Sequence, residues 1–147
     1  MNNKEKLNEF FVSCFYSILD AEERALESIE RGKLSLKEIH VIEAVFKTKE
    51  TNENNFSTIA KLLGVTLGTL TASFIKLEKK GYLFKEQNKN DKRVYSIEPT
   101  RIAKLVNDEH AAFHQKMING ITETITEKEL GNLVGALDAL DNFFKDL

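Results

Sequence analysis

The stretch VTLGTLTASFIKLEKKGYL, residues 65–83, decides how the chain is read. Helical period puts Leu67, Leu70, Phe74 and Leu77 on one stripe, a spacing that calls for burial. The opposite face carries Gly68, Thr69, Ala72, Lys76 and Lys79, Thr66, Thr71 and Ser73 are further candidate DNA contacts, and Glu78 is the one acid in the stretch. Small residues let a helix approach a groove closely, hydroxyls bond to base edges or phosphates, and lysines neutralise phosphates. Just before it, Asn55 or Ser57 caps a short helix, Gly64 suits the left-handed position that ends it, and Thr66 can cap the next. Helix, glycine-containing turn, helix is the arrangement that lays its second helix in a major groove, although a plain helical hairpin has the same outline.

The residues after this stretch distinguish the two. Residues 81–86 read as a strand, 87–92 as a polar turn and 93–97 as a returning strand. A basic-tipped hairpin directly after a helix-turn-helix is a winged helix. The segment DKRVYSIEPT, residues 91–100, resembles the Asp-x-Arg wing motif of the MarR family of bacterial winged-helix regulators. Asp91, Arg93, Ile97 and Thr100 match that motif, while Pro99 stands where the family has Leu and Ala103 where it has Gly, so the start of the next helix is expected to differ. The resemblance implies that Arg93 contacts DNA at or near the minor groove and that Asp91 steadies it. Lys89, Asn90 and Lys92 at the tip would add phosphate contacts. Read without the resemblance, Asp91 and Arg93 are a surface ion pair of little worth.

Charge agrees with the nucleic-acid reading once it is divided. The 147 residues carry a net charge of −2, but residues 57–104 hold ten Lys and Arg against four Asp and Glu, +6, which leaves −8 elsewhere. The basic part coincides with the helix-turn-helix and wing, as nucleic-acid binding on one lobe requires. No run reaches the roughly 18 apolar residues of a membrane span. The N-terminus has no signal-peptide pattern, and a single cysteine suits a reducing cytoplasm.

The whole chain, residues 1–147, reads as one mainly α domain with a small β-wing. Residues 33–98 form the winged helix-turn-helix, and 1–32 and 99–147 form long dimerisation helices. The first helix spans residues 4 to about 31, stops at Gly32 and turns Glu22, Glu23, Arg24, Glu27 and Glu30 to water. Ser35 and Glu38 make a capping box for the second helix, and Thr126 and Glu129 one for the last. The fifth helix, from Pro99 to about Glu123, has Ile102, Leu105, Val106, Ala112, Phe113, Met117 and Ile121 on its apolar side. The last carries a near-heptad seam of Leu130, Leu133, Val134, Leu137, Leu140 and Phe144. Terminal helices this apolar lack enough core to cover them, so a two-fold homodimer is expected, reading a pseudo-palindromic duplex.

Chemistry-bearing residues are few. No nucleophile triad, phosphate-binding glycine loop or paired catalytic carboxylates is present, so no enzyme and no cofactor is expected. Cys14 lies on an apolar face with no neighbouring base in sequence to lower its pKa, which favours inert packing over redox sensing. His110 and His114 stand four apart on one helix, but zinc wants further ligands and His40 lies on another helix, so no metal is expected. His110 and His114 are instead read as solvated or dimer-facing, and His40 as an interior or pocket residue.

Within the regulators, SLKEIHVIEAV together with VTLGTLTASFIKLEKKGY is similar to the FabT-type repressors of fatty-acid biosynthesis. That resemblance implies a co-repressor, an acylated acyl carrier protein. Phe10, Phe11 and Phe15 on the first helix, Ile39, His40, Ile42 and Phe46 on the second, and Phe113 and Met117 on the fifth are the candidate lining of an acyl pocket. Mutual packing of these residues is the plainer reading. Two other readings stay open: a family regulator answering another signal, such as a small hydrophobic ligand or oxidation at Cys14, and a winged helix that binds protein and not DNA.

Overall fold

A computed structural model describes residues 1–29 and 33–147. The order is α1 (Asn3–Ser28), α2 (Leu36–Lys49), α3 (Phe56–Leu63), α4 (Leu67–Lys79), β1 (Leu83–Gln87), β2 (Tyr95–Pro99), α5 (Arg101–Thr122) and α6 (Glu127–Lys145). Side-chain caps start the helices where the sequence places them. Ser35 and Glu38 exchange bonds at the head of α2, Thr126 and Glu129 at the head of α6, and Asn55 and Thr66 accept from the third residue on. A further capping box, Asn2 with Glu5, opens α1. Gly64 closes α3 at φ 67°, a left-handed conformation that costs a residue with a Cβ about 1–2 kcal/mol. The expected stop of α1 at Gly32 lies outside the described residues, as does Glu30; α1 itself ends at Ser28, with Ile29 extended.

The described residues fall into two compact units, residues 1–111 and 112–147, divided inside α5. In the first, Ile39, Ile42, Val45, Ile59, Leu70, Leu77, Ile97 and Val106 are wholly or almost wholly buried in one core. Leu26 near the end of α1 and Ile29 just after it join this core, while Phe10, Phe11, Phe15 and Tyr16 are exposed. From α5 the core takes Ala103, Val106 and His110, and Ile102 and Leu105, expected on its apolar side, are exposed. Glu22, expected to face water, is buried, because His40 and His110 lie beside its carboxylate.

The antiparallel wing pairs Leu83 with Pro99 and Gln87 with Tyr95, so both strands run about two residues later than the alternation suggests. Pro99 has no N–H to give and sits at the ladder's last position. Thr100 then binds back to the loop after α4, its N–H donating to the Tyr82 carbonyl at 3.0 Å and its hydroxyl lying 2.8 Å from the Gly81 carbonyl. The chain therefore enters α5 through a threonine anchor.

Other bonds fasten the wing and helices to one frame. The Ile97 N–H donates to the Asn54 carbonyl (2.7 Å), the Asn54 amide donates to the Ile97 carbonyl (2.9 Å), and Lys49 pairs with Glu98 (2.5 Å). Burial pushes the Glu98 carboxyl upward in pKa, but Lys49, Ser96 and Asn54 outweigh it and hold it below the ordinary value. Lys80, at the C-cap of α4, donates to both carboxylate oxygens of Glu38 (3.0 and 2.8 Å) and to the Lys33 carbonyl (3.1 Å).

The second unit holds the rest of α5 and all of α6. No α6 residue is buried, and Leu133, Val134, Leu137, Phe143 and Phe144 are exposed. Among the described residues no single helix is long and apolar enough to cross a membrane.

Candidate nucleic-acid interface

The helix-turn-helix is made by α3 and α4, whose axes turn by 106° across Gly64, Val65 and Thr66. That lies within the roughly 90–120° of such motifs. Burial of Leu70, Phe74 and Leu77 fixes the roll of α4 and so turns the opposite face outward. Leu67, assigned to the buried stripe, is 52% exposed. It is the first residue after the cap, so the buried stripe starts a turn later, and Leu67 borders a shallow hollow with Asn55, Ser57, Arg93 and Tyr95.

The nominated reading residues separate into two groups. Thr66, Gly68, Ala72, Lys76 and Lys79 are exposed. Thr69, Thr71 and Ser73 are partly covered. The Thr66 hydroxyl donates to the Thr69 hydroxyl (2.9 Å) and accepts from the Thr69 N–H (3.1 Å). Thr71 donates back to the Leu67 carbonyl (2.8 Å), which leaves its oxygen as an acceptor.

The wing tip is ordered by its own side chains. The Asn88 side-chain oxygen Oδ1 accepts from the N–H groups of Asn90 (2.8 Å) and Asp91 (3.1 Å), and the Gln87 side-chain amide donates to the Lys92 carbonyl (2.8 Å). One oxygen of Asp91 accepts from the Arg93 N–H (3.0 Å) and Nε (3.1 Å), the other from its Nη2 (3.2 Å). The hydrogen bonds from Arg93 hold the Asp91 carboxyl below the ordinary carboxylate range. The guanidinium is thus aimed while 90% of its side chain stays exposed. Lys89, Asn90 and Lys92 are exposed beside it.

These features have a family counterpart. The MarR family model matches residues 34–95, the winged lobe. Streptococcus pneumoniae FabT, in a crystal structure with DNA, shares 30% identity over 98% of this chain and 99% of its own, with a TM-score of 0.89. The chain belongs to the MarR family. MarR-fold neighbours at lower identity include Staphylococcus aureus MepR in a DNA complex, at 15% identity, 94% and 97% coverage and a TM-score of 0.76. Bacillus subtilis YusO is similar at 18% identity, 97% and 99% coverage and a TM-score of 0.64. No curated protein matches the sequence.

The nominated acyl-pocket residues divide. Ile39 and Ile42 lie inside the core, Phe46 packs against it, and Phe10, Phe11 and Phe15 are exposed on α1. Phe113 and Met117 belong to the second unit, where they line an open hollow with Lys116, Gly120, Ile121 and Thr124. Only His40 borders the cavity of about 210 Å³ that lies under α4, beside Lys37, Val41, Leu63, Thr69 and Ser73. Sequence reasoning missed this cavity because its walls come from helix ends whose approach no local pattern encodes.

Proposed function

We propose that this MarR-family protein is a DNA-binding transcription regulator acting in the cytoplasm as a homodimer. The exposed face of α4 enters the major groove of each half of a pseudo-palindromic duplex, and Arg93 reaches the neighbouring minor groove. The observation that carries the reading is Arg93 itself, exposed and pre-aimed by Asp91 beside a helix that exposes Thr66, Gly68, Ala72, Lys76 and Lys79. Likeness over almost the full length to FabT, a protein crystallised with DNA, supports it. The homodimer is supported by the bare apolar residues of α1 and α6, which need a cover that a second copy supplies.

We further propose that the protein represses fatty-acid synthesis genes and that a long-chain acylated acyl carrier protein strengthens its grip. A chain of methylenes suits the aromatic surface of α1 and the cavity under α4, each buried methylene contributing about 0.8 kcal/mol. At about 210 Å³ the cavity is smaller than the roughly 300–1,000 Å³ of complete ligand sites, so it suits only part of such a chain. Ligand that prefers the DNA-competent state raises DNA affinity by its differential affinity for that state. The test is titration of operator DNA with acylated and unacylated carrier. Tighter binding with the acylated form alone is expected; equal binding in both removes the lipid signal and leaves the DNA reading standing.

A further inference from the structure

Three helices of the first unit bring ionisable side chains to one buried point. Glu22 of α1 is 5% exposed, His110 of α5 is 3% exposed, and the His40 side chain of α2 is 42% exposed at the edge. The His110 Nε2 lies 3.4 Å from one oxygen of Glu22, the His40 Nε2 lies 3.8 Å from the other, and the three ligand atoms fall within 4.8 Å of one another. On the far side of the His110 ring, Nδ1 is 3.0 Å from the carboxylate of Glu43.

We propose that Glu22, His40 and His110 bind one divalent transition-metal ion, with zinc the fitting choice. Separations of 3.4 and 3.8 Å are long for hydrogen bonds, which centre near 2.9 Å. They match ligands sharing a cation: atoms about 2.0–2.1 Å from a tetrahedral zinc stand roughly 3.3 Å apart. The 3.0 Å contact to Glu43 is different in kind. With the proton on Nδ1 donated there, Nε2 would turn its lone pair toward Glu22, the carboxylate–histidine–metal arrangement that orients ligating imidazoles. Two imidazoles and one carboxylate suit zinc better than magnesium or calcium, which take oxygen ligands. The fourth position opens along the exposed edge of His40, which also borders the cavity under α4.

The test uses the full-length chain, stripped with a chelator, dialysed, and titrated with zinc against a chromophoric competitor. One zinc per protomer is expected, with no competition from magnesium at equal concentration. Cobalt in place of zinc should give the visible spectrum of a four-coordinate nitrogen and oxygen site without the thiolate charge-transfer band that Cys14 would add. His40→Ala, at the exposed edge, should abolish stoichiometric uptake, and Glu43→Gln should weaken it about 10- to 100-fold, the usual effect of losing such an outer partner. Thermal melts check that both variants fold, which is expected because the His40 side chain is 42% and the Glu43 side chain 50% exposed. The proposal is overturned by a wild type that takes up no zinc, by variants that keep wild-type affinity, or by uptake lost only in Cys14→Ser.

Discussion

Both carboxylate oxygens of Asp91 hold Arg93, one through the backbone N–H and Nε and the other through Nη2. An acid so placed has two opposite effects on DNA affinity. It repels phosphates, and it spares the guanidinium the entropy of finding its direction on binding. If aiming dominates, Asp91→Ala weakens operator binding severalfold although it removes a negative charge. Fluorescence anisotropy on a defined operator decides the sign, and tighter binding by the variant would show that the pair is only a surface contact.

Arg93→Ala should also weaken binding, and it should reduce the slope of log affinity against log salt by about 0.9, the share of one neutralised phosphate. Thr69→Val should alter the preference among operator sequences while leaving that slope unchanged. An identical slope for Arg93→Ala and wild type would remove Arg93 from the interface.

The two leucines at the start of α4 should part company in stability. Leu70 is buried, so Leu70→Ala should cost about 2–5 kcal/mol. Leu67 is half in water, and Leu67→Ala should cost under about 1 kcal/mol. Urea unfolding of the pair measures both, and equal losses would return Leu67 to the core.

Acid should loosen the ion pairs that tie the wing and α4 to α2. Glu98 and Glu38 are pushed upward in pKa by burial, yet Lys49 and Lys80 with their hydroxyl and amide partners bring both below the ordinary value near 4.5. A carboxyl depressed in the folded state stabilises fully above its unfolded pKa, and that contribution fades as pH falls through the folded value. Melting temperature should therefore drop below about pH 4.5, and Glu98→Gln should flatten part of the drop. A variant whose profile parallels wild type would exclude the Lys49–Glu98 pair as a source.

Leu137 is exposed on α6, in the seam assigned to a second copy. Leu137→Asp would bury a charge there at a cost of several kcal/mol. Sedimentation should find a dimer for wild type and a weakened one for the variant. A wild type that stays monomeric at tens of micromolar, on the micromolar affinity scale, would contradict the dimer.

The local grammar of this chain is plain to read. Gly64, Ser35, Asn55 and Thr126 mark helix ends by chemistry that acts within four residues, and each does so in the structure. The pair Asp91 and Arg93 is legible for the same reason, both partners lying in one turn. Legibility fails where partners are distant in sequence. Glu22 looks like a water-facing acid because its neighbours on α1 are acids, and only folding brings up His40 and His110. The wing strands run later than their alternation because Asn54, some 43 residues before Ile97, sets the register of β2.

Lys80 binds the first turn of α2 to the C-terminal end of α4, the end away from Thr66. The joint has a mechanical consequence. The Lys80 ammonium answers the Glu38 carboxylate and the Lys33 carbonyl at once, so the start of α2 and the C-terminal end of α4 share one charged joint. The placing of that end of α4 is therefore a property of α2 as much as of α4 itself.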